Sequence, residues 1–292
     1  MLYLKSEVLK GKTVLMTGAT SGIGRAAFFA LADMNPNIVI LARNEMKAKD
    51  MMREVTEKTG NNNIEMIACD LASLETVRRA AGVFVGSHDR LDVLANNAGI
   101  ISGKRILTAD GFESTFGVNH LSHFLLTNLL LDSLKGSAPS RVVVTSSYSQ
   151  FRGHMDFNDL MAARSFRSWA AYGQSKLANT LFTFELARRL AGSGVTANCF
   201  HPGAVRTNIG KGMGRAATLA YSVASRFLIS PEKGAETLVY LASSPEAEGI
   251  TEKYFFEKQA IESSPESMNQ AEAQRLWEVS RQLTAKWLDP IN

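Results

Sequence analysis

Cysteine is scarce in this 292-residue sequence, and metal-ligand patterns are missing. The two cysteines, Cys69 and Cys199, cannot form a disulfide framework, and both lie in apolar, strand-like runs. We therefore expect buried free thiols in a reducing compartment. No group of cysteine, histidine and aspartate has metal-ligand spacing, so no metal is predicted. A disulfide-rich secreted domain and a zinc-binding module are both excluded.

Long apolar runs and blocks of like charge are also absent. The most apolar segment, FLLTNLLL at 124–131, is too short to cross a bilayer. The N-terminal stretch MLYLKSEVLKGK has the features of neither a signal peptide nor a membrane span. The formal net charge is +4 and the charges are dispersed, which predicts no nucleic-acid partner. We expect a cytoplasmic protein without a transmembrane segment, and peripheral membrane contact stays open.

Short β-rich runs alternate with helical stretches along the chain. The candidate strands are 13–17, 37–42, 64–69, 91–95, 141–146, 195–200 and 253–257. Most are unbroken apolar runs, as expected for strands that are covered on both faces. The alternation predicts an α/β fold with one doubly wound parallel sheet of about seven strands and helices on both faces. No linker or repeat divides residues 1–292, so one domain is the simplest interpretation.

Two long stretches have helical spacing. The first, 110–135, begins with Asp110 and Glu113 in a capping-box-like arrangement, and the second, 170–191, is closed by Gly192. Each is predicted as a helix.

Two further segments fall outside the alternation. Residues 204–240 are predicted to form a substrate loop or lid, and residues 265–288 a last amphipathic helix. Within the first, 211–230 has apolar residues at i, i+4 steps and a mild basic flank, which predicts another amphipathic helix. Packing over the substrate, a subunit interface and peripheral membrane contact are all compatible with it.

The first candidate strand is followed by a glycine cluster in VLMTGATSGIGRAA. Glycine permits positive φ and lets the backbone approach a pyrophosphate, while the helix N-terminus offers free N–H groups. A tight strand–helix turn is the alternative, but after the first strand of an alternating chain the cluster predicts a Rossmann-like dinucleotide site. The contacts predicted in this turn are Gly18, Thr20, Ser21, Gly22, Ile23 and Gly24.

The end of the second strand predicts which dinucleotide binds. An NAD site usually has an acidic residue about 20 positions after the glycines. Here LARN places Arg43 at that point, and no acid follows until Glu45. An arginine favours a 2′-phosphate through charge-assisted hydrogen bonds, and Arg25 could add a second cation. We therefore predict NADP(H) rather than NAD(H); the alternative is a solvated arginine in a loop.

Two loops after later strands complete the predicted groove. Asp70 follows the third strand, where it could bond the adenine amino group or cap the next helix. ANNAG follows the fourth strand, and the Asn96 and Asn97 amides beside a bare glycine suit a groove lining, although an Asn/Gly turn explains the same letters. The contacts predicted in these loops are Asp70, Leu71, Asn97, Ala98 and Gly99.

Tyr172 precedes Lys176 by four residues in SWAAYGQSKLANT. Positions i and i+4 share a face of a helix, so a phenol and an ammonium can lie side by side. The spacing alone is equally compatible with two surface residues and needs structural context.

The combination of these motifs resembles the short-chain dehydrogenase/reductase superfamily. TGATSGIG, NNAG, Asn119, Ser147 and YGQSK occur in the order seen there, over nearly the whole chain. GVNHLSHFLLTNLLL, YGQSKLANTLF, HPGAVRT, GITEKYFF and RLWEVS are similar to the retinol dehydrogenase-like branch, in which glycine is frequent at the place of Ser122. The resemblance implies hydride transfer between a nicotinamide ring and a carbonyl or alcohol carbon. It also implies a dimer formed through the helices at 110–135 and 170–191.

The resemblance assigns a role to each candidate catalytic residue. Tyr172 donates a proton to the substrate oxygen, while Lys176 lowers the pKa of Tyr172 by stabilising the phenolate and binds the nicotinamide ribose. Ser147 hydrogen-bonds the substrate oxygen, and Asn119 holds a water that connects Lys176 to solvent. Ser147 as a strand-end cap and Asn119 as a satisfied polar residue of a helix are the alternatives.

The last predicted cofactor contacts follow the sixth strand in HPGAVRT, and they are Pro202, Gly203, Val205 and Thr207. His201 is predicted to support this loop rather than to act as an acid–base group. The apolar character of 211–230 indicates a hydrophobic ketone or aldehyde. The family resemblance implies one of retinal-, steroid- or polyketide-like type. A non-catalytic NADP(H)-binding sensor or scaffold, and a C=C reductase or epimerase on the same fold, are alternative functions.

Overall fold

An eight-stranded β-sheet forms the centre of the computed structural model, which describes residues 8–205 and 228–288. Its strands are β1 (Thr13–Thr17), β2 (Asn37–Ala42), β3 (Ile64–Ala68), β4 (Val93–Asn96), β5 (Ser140–Thr145), β6 (Val195–Phe200), β7 (Lys253–Phe256) and β8 (Gln259–Ile261). Their order is β3-β2-β1-β4-β5-β6-β7-β8, and only β7 and β8 pair antiparallel. The order reverses between β1 and β4, so their carboxyl ends border the crevice in which such sheets bind ligands. The predicted doubly wound α/β sheet is confirmed.

Helices cover both faces of the sheet. They are α1 (Gly22–Ala32), α2 (Glu45–Thr59), α3 (Leu74–Ser87), α4 (Ser114–Phe116), α5 (Ser122–Leu129), α6 (Leu131–Gly136), α7 (Ser168–Arg189), α8 (Pro231–Ser243) and α9 (Gln270–Thr284). On one face α1, α2 and α8 enclose side chains such as Met16 and Phe28. On the other face α3, α5 and α7 enclose Leu15 and Phe124. The neighbours Leu15 and Met16 thus belong to opposite cores, which explains the unbroken apolar run of β1.

The eighth strand corrects the predicted count of about seven. β8 pairs with β7 across a turn formed by Glu257 and Lys258, whose φ angles are 48° and 66°. Positive φ at both central residues is the hairpin geometry that Asn-Gly usually marks, and neither residue carries that signal. All three residues of β8 are exposed, so no apolar run reveals the strand in the sequence.

The helix predicted at 110–135 is divided into several pieces. α4 passes directly into a π-helical turn at Gly117–Leu121, which α5 and α6 follow. A π-helical turn inserts one extra residue into a helix and is frequent at functional sites. Here it carries Asn119 at its centre.

The predicted capping pair of this helix is also divided. The Glu113 carboxylate caps α4, because it accepts hydrogen bonds from the backbone N–H groups of Thr115 and Phe116 at 2.8 and 2.9 Å. Asp110 instead accepts from the backbone N–H of Leu74 at 2.8 Å and so caps α3 from a distant part of the chain. In the sequence both acids precede the same helix. In the structure the loop that carries Asp110 runs beside the start of α3, so Asp110 caps α3 instead of α4.

The predicted substrate segment 204–240 is corrected in its second part. From Pro231 onward it forms α8, which packs against α1 as part of the core and is not a lid. Residues 228–230 lead into α8, with a bridge between Ile229 and Val205. Thr207 and most of the helix predicted at 211–230 lie outside the described residues.

α7 is enclosed along nearly its whole length, since every residue from 171 to 187 is buried. α9, which forms most of the helix predicted at 265–288, covers its outer side. The Trp277 indole of α9 stacks on Phe182 with 5.8 Å between ring centroids and meets Phe124 edge-on at 5.0 Å. The dimer contact expected at α7 stays a prediction, and α9 of the same chain lies on this helix.

No helix within the described ranges combines the length and apolarity needed to cross a bilayer.

Trp277→Ala tests how much the α9 cover contributes to stability. We expect the free energy of unfolding to fall by about 3–5 kcal/mol, because the substitution empties the space between α5, α7 and α9. Urea denaturation followed by circular dichroism measures the change. Met46→Ala is the control, since Met46 is 78% exposed on α2 and its loss should cost little. A loss below about 1 kcal/mol for Trp277→Ala would contradict a structural role for the cover.

Candidate active site

A cavity of about 1610 Å³ opens at the carboxyl ends of the strands. It extends from the glycine turn after β1 to the start of α7 and the loop after β6. The predicted site residues that line it are Gly18, Thr20, Ser21, Gly22, Ile23, Gly24, Arg43, Asp70, Leu71, Asn97, Ala98, Gly99, Ser147, Tyr172, Lys176, Pro202, Gly203 and Val205. Asn119 lies behind this wall, and Arg25 lies outside it.

The turn after β1 is shaped to receive a pyrophosphate. Gly18 and Gly22 have φ angles of 72° and 53°, which favour glycine. A Cβ atom on Gly24 would overlap the Gly18 carbonyl oxygen and the Asn97 side chain, so only glycine lets α1 approach this closely. Ser21 makes no side-chain cap bond and the first turn of α1 has no acidic residue, so no carboxylate competes with an anion there. These residues therefore fit a dinucleotide phosphate.

Arg43 lies at the carboxyl end of β2, where its guanidinium is exposed and borders the cavity. Its Nη1 atom is 3.8 Å from the Asp70 Oδ1 atom. Asp70 also accepts a hydrogen bond from the backbone N–H of Ala72 at 3.1 Å, which closes the turn before α3. Asp70 therefore does not cap α3 itself, because Asp110 occupies the Leu74 N–H.

Arg25 points away from the dinucleotide groove. Its Nη2 atom is 2.6 Å from the Glu54 carboxylate of α2, and its guanidinium lies over the Phe29 ring at 4.6 Å. The side chain thus joins α1 to α2 outside the cavity wall that the described residues form. The second cation expected beside Arg43 is not brought to that position.

The two asparagines of NNAG have different roles. Asn97 lines the cavity, and its Oδ1 accepts from the Thr145 hydroxyl at 3.2 Å while its Nδ2 donates to the Thr17 carbonyl at 3.2 Å. Asn96 does not line the groove as expected. It is fully buried and donates from Nδ2 to the Thr127 hydroxyl of α5 at 2.8 Å, because alternate strand residues face opposite sides of the sheet.

The beginning of α7 brings Tyr172 and Lys176 to the cavity, beside Ser147, which follows β5. The Lys176 Nζ atom donates to the Thr145 carbonyl at 2.9 Å and lies 5.7 Å from the centre of the Tyr172 ring. The Ser147 Oγ atom accepts from the Ser149 backbone N–H at 3.1 Å. Three groups that can donate or accept a proton thus lie on one wall of the cavity. Ser147 also caps the short 3₁₀ turn that follows it, so the capping alternative holds as well.

The protonation of this group differs from the expectation. Burial raises the pKa of Tyr172, and its hydrogen bond with Ser147 acts in the opposite direction. Burial lowers the pKa of Lys176 to about 7, so the amine that is expected to stabilise the Tyr172 phenolate is only partly protonated near neutral pH. Burial is the cause of this shift, and among the described residues no carboxylate raises the pKa of Lys176 in return.

Both polar atoms of the Asn119 side chain are hydrogen-bonded. Its Oδ1 accepts from the Ile100 backbone N–H at 2.8 Å, and its Nδ2 donates to the Ile100 carbonyl at 2.9 Å and to the Ser175 hydroxyl at 3.0 Å. Asn119 is therefore a satisfied polar residue, as the alternative held, and it also joins the loop after NNAG to α7. The water proposed to lie beside it stays a prediction.

His201 supports the loop after β6, as predicted. Its Nδ1 atom accepts from the Gly203 backbone N–H at 3.2 Å, and its ring stacks on Phe256 with 4.2 Å between centroids. Burial lowers the pKa of His201 to about 4, so the ring is neutral near pH 7.

Tyr254 is a supporting residue that the sequence does not reveal. Its hydroxyl donates to the Ser147 carbonyl at 3.1 Å, and its ring lies buried in β7. In the sequence it is one aromatic residue within the apolar run KYFF, so only the pairing of β7 with β6 shows that it reaches Ser147.

The outer part of the cavity is apolar and exposed. Its rim carries large hydrophobic side chains that are at least partly open to solvent, namely Ile100, Ile106, Leu107, Tyr148, Trp169 and Ile261. Exposed apolar groups that cluster around a cavity mark a binding surface.

Comparisons with known proteins agree with this fold and site. A family model described as short chain dehydrogenase matches residues 12–218. Human retinol dehydrogenase 14 is 43% identical over 289 residues, which cover 94% of this chain and 86% of that protein. Human polyprenol dehydrogenase is 39% identical over 280 residues, which cover 94% and 85% of the two chains.

Solved structures show the same architecture. A crystal structure of an uncharacterized protein from Mycobacterium paratuberculosis has a TM-score of 0.77 at 34% identity, and the match covers 96% of this chain and 97% of that one. The RhlG/NADP active-site complex of Pseudomonas aeruginosa has a TM-score of 0.69 at 25% identity, with 86% and 96% covered.

The chain belongs to the short-chain dehydrogenase family of nicotinamide-dependent oxidoreductases. Within that family its relatives place it in the retinol dehydrogenase-like branch.

Lys176→Met tests the cost of burying this amine. Because the lysine pKa falls from 10.5 to about 7 on folding, the full cost is present below pH 7 and disappears as the pH rises towards 10.5. We expect the variant to be more stable than the wild type by up to about 4 kcal/mol at pH 6 and by clearly less at pH 9. Asn179 also donates to the Thr145 carbonyl, at 3.3 Å, so that acceptor keeps a partner.

Urea denaturation at both pH values measures this difference, with the exposed Lys47→Met as the control. A stability gain that is absent, or that is the same at both pH values, would show that Lys176 carries no burial cost.

Proposed function

We propose that this chain is an NADP(H)-dependent carbonyl reductase or alcohol dehydrogenase that acts on a hydrophobic ketone or aldehyde, with Tyr172 as the acid–base residue. The observation that carries the proposal is the convergence of Tyr172, Ser147 and Lys176 on one cavity that also contains the glycine turn. The turn at Gly24, where a Cβ atom would overlap the Gly18 carbonyl oxygen, fits the close approach of a dinucleotide phosphate. We take residues 1–292 as one catalytic domain.

Each residue has a separate task in the proposed reaction. The bound nicotinamide supplies or accepts the hydride. In the reduction direction negative charge develops on the substrate oxygen, and the Tyr172 phenol donates its proton there while Ser147 donates a hydrogen bond. Lys176, charged when Tyr172 loses its proton, stabilises the phenolate and is then able to return a proton. In the oxidation direction the same proton moves from the alcohol to Tyr172.

Arg43 supports the choice of NADP(H). Its exposed guanidinium at the end of β2 pairs with Asp70 at 3.8 Å, a distance longer than a hydrogen bond, and its N–H groups can bind a 2′-phosphate in a bidentate manner. The Pseudomonas aeruginosa relative was solved with NADP, which agrees with this choice.

The apolar rim supports the substrate class. Trp169 and Tyr148 are both 62% exposed at the cavity mouth, and covering them with an apolar substrate would be favourable. The names of the retinol and polyprenol dehydrogenase relatives refer to apolar alcohols, which agrees with this class.

Tyr172→Phe tests the acid–base role. With purified protein, NADPH and a panel of hydrophobic carbonyls, we expect kcat to fall by about 10²–10⁴-fold, because the phenol proton is lost while ring packing is kept. NADPH binding, followed by fluorescence, should persist. Tyr240→Phe on α8 is the matched control. Full turnover in Tyr172→Phe would contradict the acid–base role of Tyr172. NADPH binding without any turnover in the wild type would instead favour a non-catalytic NADP(H)-binding protein.

Arg43→Ala tests the cofactor preference. We expect the ratio of kcat/KM for NADPH to that for NADH to fall by about tenfold or more, because a charge-assisted hydrogen bond contributes about 1.5–3 kcal/mol. Arg25→Ala is the matched control, since Arg25 is paired with Glu54 and should leave the ratio unchanged. An unchanged ratio in Arg43→Ala would contradict the proposed contact, and a loss in Arg25→Ala alone would move the contact to that residue.

A further inference from the structure

His123 is a buried histidine that the proposed reaction does not use. It lies on α5 one turn after Asn119, is 1% exposed, and does not line the cavity. Both ring nitrogens have a partner. Nε2 is 2.9 Å from the Thr17 hydroxyl, and Nδ1 is 3.0 Å from the main-chain carbonyl oxygen of Asn119.

These partners determine where the ring proton lies. The Thr17 hydroxyl oxygen accepts from the backbone N–H groups of Asn97 and Ala98, both at 3.0 Å. With both lone pairs engaged, its single proton is donated to Nε2 of His123. A carbonyl oxygen only accepts, so Nδ1 carries the ring proton and donates it to Asn119. Burial and the charge of Lys176 lower the pKa of His123 to about 4, which keeps the ring neutral.

The histidine therefore joins two parts of the site. On one side is Thr17, which holds the NNAG loop that lines the dinucleotide groove. On the other side is Asn119, whose side chain donates to the Ser175 hydroxyl at 3.0 Å. The Ser175 hydroxyl in turn donates to the Tyr172 carbonyl at 2.8 Å, within the turn of α7 that presents the phenol. The imidazole thus adds a second connection between the cofactor loop and the catalytic turn, beside the bonds that the Asn119 side chain makes to the Ile100 backbone and to Ser175.

We propose that His123 is a positioning residue for the reaction, which holds the Asn119 π-helical turn at a fixed distance from the NNAG loop and so places Tyr172 and Lys176 against the cofactor. This inference rests on the proposed function of those two residues. A residue needed only for packing would use the volume of the ring, whereas positioning depends on which nitrogen bonds which partner.

Two substitutions separate the two bonds. The amide nitrogen of asparagine overlies Nδ1 of histidine, so His123→Asn can keep the bond to Asn119 and loses Thr17. The amide oxygen of glutamine overlies Nε2, so His123→Gln can keep the bond from Thr17 and loses Asn119. The exposed His154→Asn is the matched control.

We expect His123→Gln to lower kcat by about tenfold, the effect of one lost buried hydrogen bond, with little change in the KM for NADPH. We expect His123→Asn to raise that KM, because the NNAG loop is released, with a smaller fall in kcat. The pH profile of kcat should shift by about half a unit or more in His123→Gln, since Lys176 and Tyr172 then meet a changed environment.

The result that overturns the inference is an equal loss in both variants that follows their thermal stability and leaves the pH profile in place. Wild-type kinetics in both variants would overturn it as well. Tyr172→Phe, measured in the same series, separates this from the proposed function. If Tyr172→Phe is inactive and His123→Gln is fully active, only the positioning role fails. If Tyr172→Phe keeps full activity, the proposed role of Tyr172 is wrong, and the inference on His123 that rests on it falls with it.

Discussion

Enclosure of α7 is the constraint on which the site depends. The sheet lies on one side of this helix and α9 on the other, and all residues from 171 to 187 are buried. A close-packed interior resists small displacements, so Tyr172 and Lys176 cannot move without repacking their neighbours. The geometry of the site is therefore as well determined as the core, although the cavity beside it opens to solvent.

The same enclosure makes hydrogen bonding around the site nearly obligatory. Ser146 illustrates this, because its hydroxyl donates to the Lys176 carbonyl at 2.9 Å and also contacts the Thr180 hydroxyl at 2.9 Å. A buried polar group without a partner would cost about 1–3 kcal/mol. The Lys176 amine is less fully bonded. It donates to the Thr145 carbonyl, and burial lowers its pKa to about 7. Charged and neutral amine are then both well populated near neutral pH, which suits a group that exchanges protons.

The sequence predicts the central strands well because both faces of each strand are buried, which requires apolar residues at nearly every position. Leu15 and Met16 face opposite cores, so an unbroken apolar run is the necessary pattern for such a strand. The glycine turn is equally predictable, because Gly24 meets backbone atoms that tolerate no Cβ. β8 leaves no such pattern, since its residues are exposed and its pairing depends on β7.

The supporting residues of the site could not be predicted for a different reason. Arg25 follows the glycines in the sequence, but Glu54 on another helix draws its guanidinium away. In the sequence His123 and Tyr254 have no feature that distinguishes them from other core residues. Their roles depend on partners that are distant in the chain: His123 bonds Thr17, and Tyr254 bonds the Ser147 carbonyl. Local spacing indicates which residues can do chemistry, whereas tertiary contacts decide which residues hold them in place.

The α9 cover has a consequence for the order of assembly. α7 leaves the ribosome well before Gln270–Thr284, so its outer side and the rings of Phe124 and Phe182 stay uncovered while the chain between them is made. An apolar helical face of this kind attracts other apolar surfaces until its own cover arrives. The segment that covers α7 is thus synthesised after the helix it protects, and none of the residues that we assign to the reaction lies on it.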